Sequence, residues 1–179
     1  MPTKEHALLL TGPPGVGKTT VIRGAADELS DLTIRGFTTE EVRKAGERVG
    51  FRIETFDGES AVLADVNIRS PHRVGKYGVD LTALDRIAAD QLSGNPGEVV
   101  FIDEIGKMET LSKSFVQGME SLLESPAVLV ATVGLRGTGF IAAVKRRPDV
   151  LLWTVSRATR DEMPAKVAEW VRSRTGRRG

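Results

Sequence analysis

An α/β fold, with a mostly parallel sheet covered by helices on both faces, is what this sequence predicts, and three observations predict it. Apolar runs at Ala7–Leu10, 98–104 and 127–133 are continuous rather than alternating, as strands buried on both faces are. Stretches with helical spacing separate those runs, the alternation expected of parallel strands joined by crossover helices. Between about residues 47 and 66 the pattern changes to a two-stranded one around Asp57-Gly58, a dipeptide favoured in tight hairpins. An antiparallel hairpin is therefore expected on an otherwise parallel frame.

In chain order, residues 7–10 read as a buried strand and the residues after the following glycines as a helix of about three turns. Val21, Ile22, Ala25, Ala26 and Leu29 fall on one face of that helix. A short strand is expected near 33–38, then the hairpin formed by VGFRIETF and ESAVLADV. SPHRVGKYGVD (70–80), glycine-rich and basic, reads as a loop. Asp80 then caps an amphipathic helix over 80–92. EVVFIDEIG (98–106) is a buried strand ending in two acids. A helix at 112–124, a strand at 127–133, a helix near 138–146, a strand near 150–155 and a helix near 161–174 complete the chain. Neither a repeat nor an interdomain linker interrupts it, so a single domain over 1–179 is expected, with the basic tail 172–179 frayed in solvent.

Composition excludes several chemistries. The 179 residues hold no cysteine, which removes thiol catalysis, disulfides and cysteine-bound zinc. Two histidines, His6 and His72, leave little for a histidine metal site or triad. Twenty-five Lys and Arg against twenty-four Asp and Glu give a net charge of +1, which argues against a dedicated nucleic-acid binder. No apolar run approaches the roughly 20 residues of a membrane span. MPTKEHALLL meets the glycine stretch too soon for a signal peptide. A soluble, cytoplasmic monomer is expected.

The glycine stretch is TGPPGVGKTT (11–20). Gly12-x-x-x-x-Gly17-Lys18-Thr19, between a strand and a helix, satisfies the phosphate-loop pattern. Its glycines let successive backbone N–H groups turn inward to form an anion cradle, at which the following helix aims its positive end. The candidate nucleotide-binding segment comprises Gly12, Pro13, Pro14, Gly15, Val16, Gly17, Lys18, Thr19 and Thr20. Lys18 can bridge the β- and γ-phosphates, and the Thr19 hydroxyl can ligate Mg²⁺. A phosphate loop needs a second carboxylate for that metal, and Val99-Val100-Phe101-Ile102-Asp103 supplies one at the C-terminal end of a buried strand. Glu104, the next residue, is the candidate to polarise an attacking water. The fold class is thus a P-loop NTPase.

With these residues in place the chain resembles the cancer-related nucleoside-triphosphatase family, small P-loop proteins of thermophilic prokaryotes and animals. The resemblance rests on GPPGVGKTT (12–20), GFTTEEVRKAGERVGFRI (36–53), RVGKYGVDL (73–81) and VVFIDEIGKME (99–109). It implies a RecA-like or kinase-like fold and Mg²⁺-dependent hydrolysis of ATP, GTP and other nucleoside triphosphates to diphosphate and phosphate. It also carries over Lys18, Thr19 and Glu104 residue by residue. Two stretches depart from the family pattern: Gly134-Leu135-Arg136-Gly137-Thr138-Gly139, and Thr159-Arg160-Asp161 where Asn-Arg-Asp is usual.

A nucleotide or nucleoside kinase is the alternative, with Arg136, Lys145, Arg146 and Arg147 as a basic lid; a non-hydrolysing switch is a third reading. A kinase has little use for an acid poised over water. Transferred phosphoryl groups commonly need a second cation. Arg73 and Lys76, in a loop with Gly75 and Gly78, are expected to supply it, with Arg136 as the rival.

Overall fold

Strand β1 (Ala7–Gly12) has every residue buried, and its side chains divide between two cores. Ala7 and Leu9 pack on one face of the sheet, Leu8 and Leu10 on the other. The period of two that sends successive side chains to opposite faces thereby organises the whole molecule. The computed structural model describes residues 5–176. After β1 come α1 (Lys18–Glu28), β2 (Ile34–Lys44), β3 (Glu47–Thr55) and β4 (Ser60–Asp65). They are followed by β5 (Arg73–Val74), β6 (Tyr77–Val79), α2 (Leu81–Gln91) and β7 (Val99–Ile105). A single 3-10 turn (Glu109–Leu111), α3 (Lys113–Leu123), β8 (Val128–Gly134), α4 (Gly139–Lys145), β9 (Val150–Thr154) and α5 (Met163–Thr175) close the described chain.

The described strands form one nine-stranded sheet in the order β5-β6-β4-β3-β2-β7-β8-β1-β9. From β2 to β9 every pairing is parallel; from β2 to β5 every pairing is antiparallel. Residues of α2 and α3 join the core on the Leu9 face, and those of α1 and α5 the core on the Leu8 face. The mixed, helix-covered sheet expected from the apolar runs is therefore present.

The antiparallel part is larger than one hairpin, and the sequence hid its size in three ways. First, β2 runs on to Lys44 and turns through Ala45-Gly46, both at positive φ (49° and 81°). Alanine is not a residue that announces such a turn. Second, the Asp57-Gly58 turn joins β3 to β4 as expected, but only Gly58 takes positive φ (95°). Asp57 instead accepts hydrogen bonds from the Thr55 hydroxyl and the Gln91 amide. Third, residues expected as a loop contain the hairpin β5–β6, with Tyr77 and Val79 buried in the core.

The tail also differs from expectation. Helix α5 continues through Thr175, because Arg172 pairs with both carboxylate oxygens of Asp31 (2.9 and 2.6 Å) and donates to Glu28 O at 3.1 Å. Arg174 donates to Glu5 O at 2.5 Å and lies over the Trp170 ring. The rest of the expected frayed end, 177–179, lies outside the described residues.

Where β2 passes β7, Gly36 sits at φ 104°, and a β-carbon there would lie 1.9 Å from Phe101 O. Its N–H donates to Gln91 Oε1 at 3.0 Å and its carbonyl accepts from Phe56 N at 3.1 Å, so the backbone has no slack. Gly36→Ala is expected to cost more than about 2 kcal/mol, lowering the thermal unfolding midpoint by about 5 °C or more in a scanning calorimeter. An unchanged midpoint would contradict that close approach.

Candidate active site

The glycine loop, Asp103 and Glu104 gather at the C-terminal ends of the parallel strands, where open α/β sheets bind their ligands. Strand β1 ends at Gly12 and the loop closes on α1, whose N-cap is Gly17 in the left-handed region (φ 111°) with no side-chain cap. The first N–H groups of α1 are thus left open toward an anion. Lys18 Nζ donates to Gly12 O at 2.7 Å, drawing the ammonium across the loop it serves. Val16 is buried under the loop, and the exposed Pro13, Pro14 and Gly15 form its outer turn.

Asp103 is the centre of the arrangement. It is 4% exposed, and two threonine hydroxyls hold its carboxylate: Thr19 Oγ1 donates to Oδ2 and Thr132 Oγ1 to Oδ1, each at 2.6 Å. Thr39 Oγ1 donates to the Asp103 carbonyl at 2.7 Å. Helix α1 and strands β8 and β2 therefore all anchor on this residue of β7. Burial pushes the carboxyl up, against the opposing pull of the two hydroxyls.

The β7–β8 register slips between Ile102 and Ile105, so Asp103 and Glu104 together face one residue of β8. A bulge of this kind re-aims side chains. Glu104, half-buried, joins Lys18, Thr19 and Asp103 in lining one cavity. Its carboxyl is pushed up by burial and by the charge of Asp103, and pulled down by Lys18.

Do these residues fit the Mg²⁺ that the family resemblance implies? Thr19 Oγ1 already touches Asp103 Oδ2, so one cation could be shared by both, and the buried carboxylate has no cationic partner at hydrogen-bond distance among the described residues. Among the described residues no cluster of three or more His, Cys, Asp or Glu could hold a metal alone. Mg²⁺ suits such a sparse site, because it is usually held by one or two protein oxygens plus water and phosphate. The residues fit.

The cavity, about 890 Å³, also takes in Glu109, Arg136 and Lys107. Sequence alone assigns Glu109 no role. It is 4% exposed, and its Oε2 and Glu104 Oε1 each lie 2.8 Å from where a β-carbon of Gly106 would be. Burial, reinforced by the nearby Glu104 charge, lifts its carboxyl to about 8. Only the fold, which bends the chain back at Gly106, could reveal this pairing.

Arg73 and Lys76 are not brought to this cavity. Arg73 donates to Lys76 O (2.8 Å) and Ile68 O (3.3 Å), closing its own hairpin, and Lys76 lies over the Tyr77 ring. Only Val74 of that hairpin lines the cavity. The candidate lid is also dispersed. Lys145 donates to Leu135 O, Arg147 pairs with Asp149 and Glu124, and of the four cations only Arg136 lines the cavity.

With this geometry in view the relatives can be placed. The sequence matches the profile of the NTPase family over residues 7–168. The chain belongs to this nucleoside-triphosphatase family. It is 40% identical to nucleoside-triphosphatase THEP1 of Thermotoga sp. (strain RQ2), the match covering 87% of this chain and 90% of that one. The solution structure of a human cancer-related nucleoside triphosphatase superposes with a TM-score of 0.80 at 35% identity, covering 94% of this chain and 98% of that one. The crystal structure of THEP1 from the hyperthermophile Aquifex aeolicus gives 0.76 at 31% identity, over 92% and 98%. The family's named activity favours hydrolysis over the kinase alternative, as the scattered lid cations do. Among the described residues no helix is long and apolar enough to cross a membrane.

Glu109 generates a pH prediction. Its carboxyl moves from 4.5 to about 8 on folding, so across that window the folded chain holds a proton that the unfolded chain releases. Stability from this residue is full below the lower value and falls as pH rises toward the upper one. Glu109→Gln has no proton to lose. With a chelator present, its unfolding midpoint should gain several degrees on wild type between about pH 5 and about pH 8.5. Parallel midpoint-versus-pH curves would place the Glu109 titration elsewhere.

Proposed function

We propose that the chain hydrolyses nucleoside 5'-triphosphates, ATP and GTP among them, with Mg²⁺, and that the glycine loop, Asp103 and Glu104 perform the reaction. One observation carries this reading: Thr19 Oγ1 lies 2.6 Å from Asp103 Oδ2, and Glu104, the next residue, faces the same cavity as Lys18. Residues 12–20 would wrap the phosphates with backbone N–H groups and the Lys18 ammonium. Thr19 and Asp103 would hold the metal, which when bound neutralises charge on the phosphate oxygens.

Glu104 then acts on water. A raised carboxyl pKa suits a group that must take a proton near neutral pH. As the water oxygen bonds to the γ-phosphorus, the bond to the bridging oxygen of the diphosphate breaks. The water's proton passes to the Glu104 carboxylate and afterwards to solvent. Charge developing on the transferred group calls for a further cation. Arg136 lines the cavity, so we assign it that role in place of Arg73 and Lys76. Thr159-Arg160 is the candidate contact for the base: it follows β9 beside the loop, and Arg160 Nη1 donates to Val16 O at 3.3 Å. A cytoplasmic monomer remains the reading for its setting.

Three substitutions test the assignment. Lys18→Ala should abolish phosphate release from MgATP, because a charge-assisted contact that strengthens during transfer is worth several kcal/mol. Glu104→Gln keeps shape but cannot accept the proton; turnover should fall roughly 10²–10⁴-fold while fluorescent-nucleotide affinity changes little. Joint loss of binding and turnover would make Glu104 structural instead. Arg136→Ala should lower kcat at least tenfold or so, with Arg73→Ala and Lys76→Ala within about twofold of wild type. The reverse ranking would return the role to the β5–β6 hairpin.

A further inference from the structure

The cavity does not stop at Glu104. Beyond it the walls become apolar: Phe51 of β3, Leu63 of β4, Val74 of β5 and Met108 before the 3-10 turn. At about 890 Å³ the whole space is large. Small-molecule sites run from about 300 to about 1,000 Å³, so this one has room for more than a phosphate chain. Hydrolysis as argued above uses none of the apolar half.

Sheet order says which part of a nucleotide could reach it. Across the sheet from β9 come β1 with the glycine loop, β8, β7 with Asp103 and Glu104, then β2, β3 and β4 with the apolar wall. A phosphate chain running from the loop to Glu104 therefore presents its terminal phosphoryl group to the apolar half. The nucleoside end would then lie toward β1 and β9, the side on which Arg160 reaches Val16 O. No described residue of the 156–162 segment lines the cavity. The apolar half is not the base's pocket.

Its charges are mixed: Glu40 and Glu41 also line it, Glu40 paired with Arg23 and Arg52 and Glu41 with Arg43 and Arg48, so the acids there are already engaged. Arg48 lies over the Phe51 ring at 5.2 Å and the Tyr77 ring at 5.7 Å, fixed by Tyr77 Oη at 2.9 Å and Glu41 Oε1 at 3.0 Å. Lys107 opens onto the same space beside Met108, and has no ion pair among the described residues. A guanidinium held against the Phe51 ring, which lines the cavity, offers a planar ring a cation–π partner, and an unpaired ammonium at the rim favours an anion.

We propose that this half of the cavity is a second subsite, taking a planar aromatic molecule with a single anionic group, and that it is filled together with the nucleotide. The subsite rests on the reading that the phosphates occupy the glycine-loop end. A ligand there would stand against Glu104 and limit the water that reaches it.

The full chain, the fluorescent probe anilinonaphthalenesulfonate and, separately, methylanthraniloyl-ADP with Mg²⁺ test this. A single probe molecule should bind per chain, with affinity changed less than about threefold by saturating MgADP. Arg48→Ala, and independently Val74→Glu, should weaken probe binding about tenfold or more while methylanthraniloyl-ADP affinity stays within about twofold. One-for-one displacement of the probe by MgADP would overturn the proposal and give the apolar half to the nucleobase. Absent probe binding, or binding equally tight in both variants, would overturn it as well. If Lys18→Ala leaves methylanthraniloyl-ADP binding unchanged, the nucleotide reading itself has failed, and the subsite falls with it.

Discussion

Everything at the active end of this molecule depends on a carboxylate held out of water. Asp103 is buried at the end of β7, and burial disfavours its charged form. What makes the position tenable is the pair of hydroxyls on its carboxylate, Thr19 and Thr132, while the Thr39 hydroxyl holds its main-chain carbonyl. A buried charge without partners is costly, so each hydroxyl also ties its own element to β7. The start of α1, the middle of β8 and the outer half of β2 are thereby held in one relative position. The loop that would cradle phosphate and the acid that would activate water share a single anchor.

The carboxylates at this end differ in environment, and that difference separates their tasks. Asp103 has two hydroxyl donors and faces the loop. Glu104 opens toward the cavity under the opposing influence of Asp103 and Lys18. Glu109, behind both, is deep enough to keep its proton near neutral pH. Three ionised acids so close together would repel strongly, and a protonated Glu109 lowers that repulsion without an added cation.

The parallel frame was legible because its strands are buried on both faces and so write themselves as unbroken apolar runs. Val99–Ile105 and Val128–Gly134 are of this kind. The phosphate loop, Asp103 and Glu104 were legible because local spacing and a strand end suffice to locate them. What stayed hidden was what depends on distant pairing. The extension of β2, the Ala45-Gly46 turn and the β5–β6 hairpin have polar or glycine-rich sequences that become strands only beside a neighbour. Glu109 was invisible as a site candidate for the same reason, whereas Arg136 was legible only as the rival to Arg73 and Lys76. Arg73 and Lys76 lie outside the cavity, and sequence could not show it because glycines flanking cations suit a ligand loop and a tight hairpin equally well.

The placement of Arg73 has a consequence for the border of the sheet. Strand β5 is the last in the sheet and only two residues long. An exposed sheet border offers unpaired backbone groups to any passing chain. Here the guanidinium of Arg73 folds back onto the Ile68 and Lys76 carbonyls, occupying acceptors next to that border. A foreign strand would find a short, positively charged and already occupied margin. The cation that sequence suggested for phosphate is thus engaged by the carbonyls at the border of the sheet.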